Sequence, residues 1–242
     1  MGASTASVRD LPLAGGEYQR VLVYGVKTAT RGVIVMFPGG SGEIDIERDG
    51  TIAHGDNFVV RTRESWARRG YGVVIVDATG HRSLRGERSS AAYAADTQEI
   101  LTFARSLSGL PIWVMGTSQG SIAAMNAAAH ARPRELAGVV LTESVSILGK
   151  SRETVFDAHP GDVHVPALVL ANRNDACWVA PPSMADAIAR AMPNSAATVK
   201  FVRGGVMKSS NSCSSMSPHG YWGIDEQVVD EIDAWMRGIA ST

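Results

Sequence analysis

The pentapeptide Gly116-Thr117-Ser118-Gln119-Gly120 sets one serine midway between two glycines. It follows the apolar run Ile112 to Met115 and precedes the small-residue stretch Ser121-Ile122-Ala123-Ala124, a strand-turn-helix context. Such a turn holds its middle residue in a strained backbone conformation and pushes the side chain outward, while the flanking glycines let strand and helix approach closely. The free N–H groups at the start of the helix face the same spot and favour a developing oxyanion; the Gln119 amide is one expected donor. The chemistry is nucleophilic attack by the Ser118 hydroxyl.

A serine hydroxyl is a poor nucleophile near neutral pH, so it needs an imidazole to take its proton and a carboxylate to orient that imidazole. The chain has 6 histidines. His54 and His81 precede the turn, His130 ends the helix after it, and His159 and His164 precede the run Ala167 to Leu170. Only His219, in the turn-rich stretch Ser217-Pro218-His219-Gly220-Tyr221, lies between the last expected strand and the last expected helix, and it is the expected base. Two carboxylates compete to orient it: Asp175, beyond Ala171-Asn172-Arg173-Asn174, and Glu143, at the end of Val139 to Thr142. A second oxyanion donor is expected in Phe37-Pro38-Gly39-Gly40-Ser41-Gly42, where glycines let a backbone N–H reach a substrate oxygen; Gly40 is preferred.

These residues must be held by a scaffold. Five short runs, Val33 to Phe37, Val73 to Val76, Ile112 to Met115, Val139 to Leu141 and Ala167 to Leu170, are continuously apolar rather than alternating. Strands read this way when helices cover both faces of a parallel sheet. Residues 20–26 and 198–202 alternate more and are expected to flank the centre. Helical spacing covers 57–69, 91–107, 119–131, 183–192 and 225–237, the last with Val228, Ile232, Trp235 and Met236 on one stripe and Gly238 placed to end it. Residues 1–16 carry no comparable pattern and read as a loosely ordered segment of one 242-residue domain.

On these motifs the chain resembles the serine esterases and lipase-like members of the α/β-hydrolase superfamily, over about residues 31–237. The resemblance implies a three-layer α/β sandwich, with the nucleophile after the fifth strand, an oxyanion loop after the third, and acid and histidine following in that order. It places the acid at Asp175 in preference to Glu143. Many esterases carry a histidine where this chain has Pro38, which leaves the second donor open among Gly39, Gly40 and Ser41. In this fold the loops bearing Cys177 and Cys213 converge, so a disulfide between them is expected. That bond implies an oxidising compartment, periplasmic or exterior, and a removed signal; a cytoplasmic protein with two unrelated thiols is the alternative. The segment between Glu143 and Val165 is short where lipase-like relatives insert a helical lid, so the site should be open and suited to small or short-acyl esters. No metal or organic cofactor is required.

Composition narrows the alternatives. Hydrophobic residues make up 45% and charged residues 19%, the balance of a chain that buries a core. With 23 Lys and Arg against 24 Asp and Glu, no global field attracts polyanions, and nucleic acid is not an expected partner. The apolar runs are too short to span a bilayer, and the first seven residues lack the charged start and apolar core of a secretory signal. His81, Arg82, Arg85 and Arg88 give the loop 80–90 a positive character, read as a solvated face. The expected function is ester hydrolysis; amide cleavage or acyl transfer by the same residues, and a non-catalytic binding protein on the same fold, are the alternatives. The natural ester and the oligomeric state are not encoded in any motif.

Overall fold

The structure, a computed structural model, describes residues 6–13 and 15–241. The strands are β1 (Ala6–Pro12), β2 (Tyr18–Tyr24), β3 (Gly32–Phe37), β4 (Tyr71–Val76), β5 (Ile112–Thr117), β6 (Gly138–Thr142), β7 (Ala167–Asn172) and β8 (Ala197–Val202). They form one sheet in the order β1-β2-β4-β3-β5-β6-β7-β8. β1 and β2 run antiparallel to their neighbours, and the remaining pairings are parallel. The helices are α1 (Phe58–Arg61), α2 (Arg63–Arg68), α3 (Ala91–Leu107), α4 (Gly120–Ala129), α5 (Ala185–Arg190) and α6 (Asp225–Ala240).

Side-chain alternation along β3 shows why the central runs are apolar throughout. Val33, Val35 and Phe37 pack on one face with Ile100 and Leu101 of α3, Ile122 of α4 and Ile188 of α5. Ile34 and Met36 pack on the other with Phe58 of α1, Trp66 of α2 and Val228, Ile232 and Met236 of α6. Both faces are therefore covered, and the molecule is a three-layer α/β-hydrolase sandwich. Between β6 and β7 the described residues contain only single 3-10 turns, Val155–Asp157 and Pro160–Asp162, and no α-helical lid.

Several local expectations need correction. Residues 6–12, expected within a loosely ordered terminus, form an edge strand in register with β2 from Ala6↔Tyr24 to Pro12↔Tyr18; residues 1–5 and 14 lie outside the described residues. One face of β1 is exposed, so it lacks the apolar run that marked the central strands. The helix expected over 57–69 is two, because Thr62 Oγ1 donates to Phe58 O at 2.7 Å and Thr62 leaves helical geometry (φ −88°, ψ 0°). The helix expected over 183–192 is a 3-10 turn at Pro182–Met184 leading into the short α5. Gly238 does not end α6, which continues to Ala240; nothing lies within 4 Å of where its Cβ would be, and a glycine permits a stop without imposing one.

The contact between β5, α4 and the end of β3 is the tightest in the sheet. A Cβ on Gly116 would lie 2.0 Å from Gly120 O, and one on Gly120 would lie 2.1 Å from Phe37 O. Gly120→Ala should therefore lower stability by roughly 1–3 kcal/mol or more in urea unfolding. Gly109→Ala, where no atom lies within 4 Å, should change it by less than about 0.5 kcal/mol. Equal midpoints for the two variants would contradict this packing.

Candidate active site

Ser118 stands where β5 turns into α4, with φ of 54°, in the left-handed region that non-glycine residues rarely occupy. Its N–H donates to Thr142 O at 2.9 Å. Its carbonyl accepts from Ser121 Oγ at 2.6 Å and from Ser121 N at 3.0 Å. These bonds fix the turn while leaving the hydroxyl free to point away from the sheet. Ser118 Oγ lies 2.8 Å from His219 Nε2, and His219 Nδ1 lies 2.7 Å from Asp175 Oδ2. The structure thus brings together three side chains spaced 101 and 44 residues apart in sequence. The side chains of His219 and Asp175 are almost fully buried, so their contact is shielded from competing water.

Each partner is held by its own local bonds. Asp175 follows β7, and its Oδ1 accepts from Cys177 N at 2.7 Å, which leaves Oδ2 for the imidazole. His219 sits in the 3-10 turn Pro218–Gly220, and the preceding Ser217 caps that turn by accepting from His219 N. At Gly220 a Cβ would lie 2.0 Å from Ser215 O, so only glycine fits behind the imidazole. Asn172, at the end of β7, reaches across to the same loop: its Nδ2 donates to Gly204 O at 2.9 Å and to Pro218 O at 3.0 Å. From the other side the Arg61 guanidinium donates to Gly220 O, pairs with Asp225 at 2.6 Å and lies 5.1 Å from the Trp222 ring centroid. Cys177 and Cys213 form a disulfide with Cα atoms 4.6 Å apart, tying the Asp175 loop to the segment before His219. Closing that loop restricts the unfolded chain by about 4 kcal/mol in the chain-entropy picture.

Glu143 does not take the place of Asp175, but it is not remote either. Oxygens of Glu143 and Asp175 and a ring nitrogen of His219 all lie within 4.8 Å of one another. Glu143 Oε1 accepts from Asn172 N at 2.6 Å, whereas its buried Oε2 has no hydrogen-bond partner among the described residues. Burial pushes the Glu143 carboxyl well above the usual carboxylate range, and the neighbouring Asp175 adds to the shift. A proton retained on Glu143 relieves the repulsion between two buried carboxylates and gives its orphan oxygen a bond to offer.

Gly40 has φ of 63° and lines both the cleft of Ser118 and Gln119 and the adjoining groove that Gly39 and Ser41 line. Among the described residues no acceptor is found for the N–H groups of Gly40 and Gln119. Arg88 was invisible as a site residue in the sequence, where its loop reads as a solvated face. It is buried, and its guanidinium donates to Gly40 O at 3.1 Å and to Gln119 Oε1 at 3.5 Å, tying the Gly40 loop to the residue after Ser118. Burial pulls its pKa down. Asp77, at the end of β4, is also buried; its carboxylate accepts from the N–H groups of Ile44, Asp45, Ile46 and Ala78 and caps a loop rather than lining the site.

A family model described as serine aminopeptidase, S33, matches residues 49–152, which include the Ser118 turn but end before Asp175 and His219. A comparison with curated proteins finds no match. Among solved structures, Est1E from Butyrivibrio proteoclasticus superposes with a TM-score of 0.68 at 15% identity, covering 98% of this chain and 100% of its own. A cold-adapted esterase from an Arctic intertidal metagenomic library gives 0.66 at 15% identity, covering 97% and 95%. The thermostable carboxylesterase EstE1, from a metagenomic library, gives 0.65 at 18% identity, covering 97% and 89%.

The Glu143 site makes a prediction that needs no substrate. With its pKa raised in the native state, Glu143 keeps its proton to higher pH there than in the unfolded chain, where the ordinary value is 4.5, so folding is progressively penalised as pH rises from there toward the native-state pKa. Glu143→Gln keeps the shape and removes the titration. Its Tm should gain on the wild type as pH rises above about 5, and the gap should shrink toward about pH 4. A difference that stays constant across that range would contradict a protonated Glu143.

Proposed function

We propose that the chain, which has the α/β-hydrolase fold, cleaves a carboxylic ester through an acyl-enzyme on Ser118. The observation that carries this reading is the unbroken pair of hydrogen bonds from Ser118 Oγ to His219 Nε2 and from His219 Nδ1 to Asp175 Oδ2. In the first step Ser118 Oγ bonds to the ester carbonyl carbon as its proton passes to Nε2; Asp175 holds Nδ1–H and balances the imidazolium charge. The carbonyl oxygen, now an oxyanion, is met by the N–H groups of Gln119 and Gly40. Collapse of this intermediate breaks the bond to the alcohol oxygen, which leaves with the proton from Nε2. Water then attacks the acyl carbon, gives its proton to Nε2, and the carboxylic acid departs as the proton returns to Ser118.

The cleft beside Ser118 has a volume of about 300 Å³, and among the described residues no helical lid is inserted between β6 and β7. These features favour small or short-acyl esters over buried long chains. The disulfide between Cys177 and Cys213 supports a periplasmic or extracellular setting, since the bond would be reduced in most cytosols. No helix among the described residues is long and apolar enough to cross a membrane.

Amide or peptide cleavage by the same residues is the second reading, favoured by the aminopeptidase description of the matched model. The two are separated by 4-nitrophenyl esters of increasing acyl length run beside the corresponding anilides. Ester turnover should be highest for short acyl chains, and Ser118→Ala and His219→Ala should each lower kcat by roughly 10⁴-fold or more. Turnover of anilides alone would favour the second reading. Activity that survives both substitutions would contradict the first and the second alike.

A further inference from the structure

Two grooves flank the Ser118 turn and share Gly40 and Cys213, but they differ in charge. The groove that contains Ser118 and Gln119 is bordered by Arg85 and Lys150 and by no acidic residue. The other is bordered by Glu43 and Asp56 and by no Lys or Arg. Both Arg85 and Lys150 are exposed, and neither enters an ion pair among the described residues. They come from separate parts of the chain, the loop after β4 and the loop after β6, so their meeting at one cleft is a product of the fold and not of a local run of charge.

The field in this cleft has a third source. The buried Arg88 guanidinium bonds to Gly40 O and Gln119 Oε1, two neutral acceptors at the cleft, instead of to a carboxylate. The buried acid Glu153 turns its oxygens toward the N–H groups of Gly86, Arg88 and Ser89 and the Ser89 hydroxyl. The cleft wall is completed by Trp178, 62% exposed, and Val179, an apolar surface that suits the carbon skeleton of a short arm.

We propose that the natural substrate is an ester carrying a carboxylate on a short arm, and that Arg85 and Lys150 hold this carboxylate in the cleft beside Ser118. The proposal rests on the ester-hydrolase reading and adds the charge of the substrate. A carboxylate in the Ser118 groove meets unpaired cations, whereas in the groove bordered by Glu43 and Asp56 it meets like charge. Electrostatics therefore selects both the kind of substrate and the side on which its charged arm lies.

The test compares 4-nitrophenyl hydrogen adipate with its methyl-capped counterpart, 4-nitrophenyl methyl adipate. A second pair, 3-carboxyphenyl and 3-carbamoylphenyl butyrate, places the charge on the leaving group. Uncatalysed hydrolysis is subtracted throughout. In at least one pair the anionic ester should have the higher kcat/KM, by about three- to tenfold at low salt, and 1 M NaCl should reduce that ratio toward one. The responding pair identifies whether the acyl or the alcohol portion occupies the cleft. Arg85→Gln and Lys150→Gln should each lower the anionic-to-neutral ratio, and the double variant Arg85→Glu/Lys150→Glu should bring it below one. Ser118-dependent hydrolysis with ratios at or below one in both pairs would overturn this proposal while leaving ester hydrolysis intact. A ratio unmoved by the double variant would also overturn it. Absence of turnover on all four esters would overturn both readings.

Discussion

The 2.8 Å approach of Ser118 Oγ to His219 Nε2 joins two segments that nothing local would bring together. One is a sharp turn after the central strand β5; the other is a glycine- and serine-rich loop after the edge strand β8. The first is positioned by exclusion, since Gly116 and Gly120 leave no room for any side chain between strand, helix and the end of β3. The second is packed as closely at Gly220, against Ser215, and is also held by discrete bonds: Asn172 to Gly204 and Pro218, Arg61 to Gly220, and the disulfide from Cys213 to Cys177. One half of the site is built by the sheet, and the loop half is pinned to it at several points. A displacement of about 1 Å between a reacting pair is enough to lower catalysis substantially, so these pins matter as much as the reacting groups.

Burial sets the electrostatics of the same region. Asp175 is surrounded by donors from His219 and Cys177, and burial and the nearby Asp175 push the neighbouring Glu143 carboxyl well above its ordinary range, since a second buried negative charge so close would be costly. On the opposite side of Ser118 the charge is positive, with Arg88 beneath the Gly40 and Gln119 groups. In the proposed attack by Ser118, an imidazolium would form near one anion, and an oxyanion near fixed donors and a cation. That arrangement separates the two charges that attack by serine creates, in surroundings that need little reorganisation to receive them.

The parts of this site that were legible in the sequence are those with a local signature. Ser118 stands in a five-residue pattern, and the central strands advertise two covered faces by their unbroken apolar runs. His219 was found by its place between the last strand and the last helix. Asp175 and Glu143 could not be separated by residue pattern alone, because both end strands at the same edge of the sheet; what distinguishes them is which carboxylate reaches Nδ1, a three-dimensional fact. Arg88 gave the wrong impression, since an arginine in a loop with other basic residues usually points into solvent, and here Gly40 O and Gln119 Oε1 accept from its buried guanidinium. β1 carried no signal because one of its faces is exposed, and Thr62 split a helix through a side-chain bond that periodicity does not register.

The most direct measurement is peptide mapping by mass spectrometry after reaction with a small alkyl fluorophosphonate, which bonds to an activated serine oxygen and releases fluoride. The native protein should carry one adduct, on Ser118, while the urea-unfolded chain and His219→Ala should react far more slowly, because the hydroxyl is reactive only beside the imidazole. Labelling that falls on other residues, or that proceeds equally well on Ser118 in the unfolded chain, would contradict a serine activated by His219.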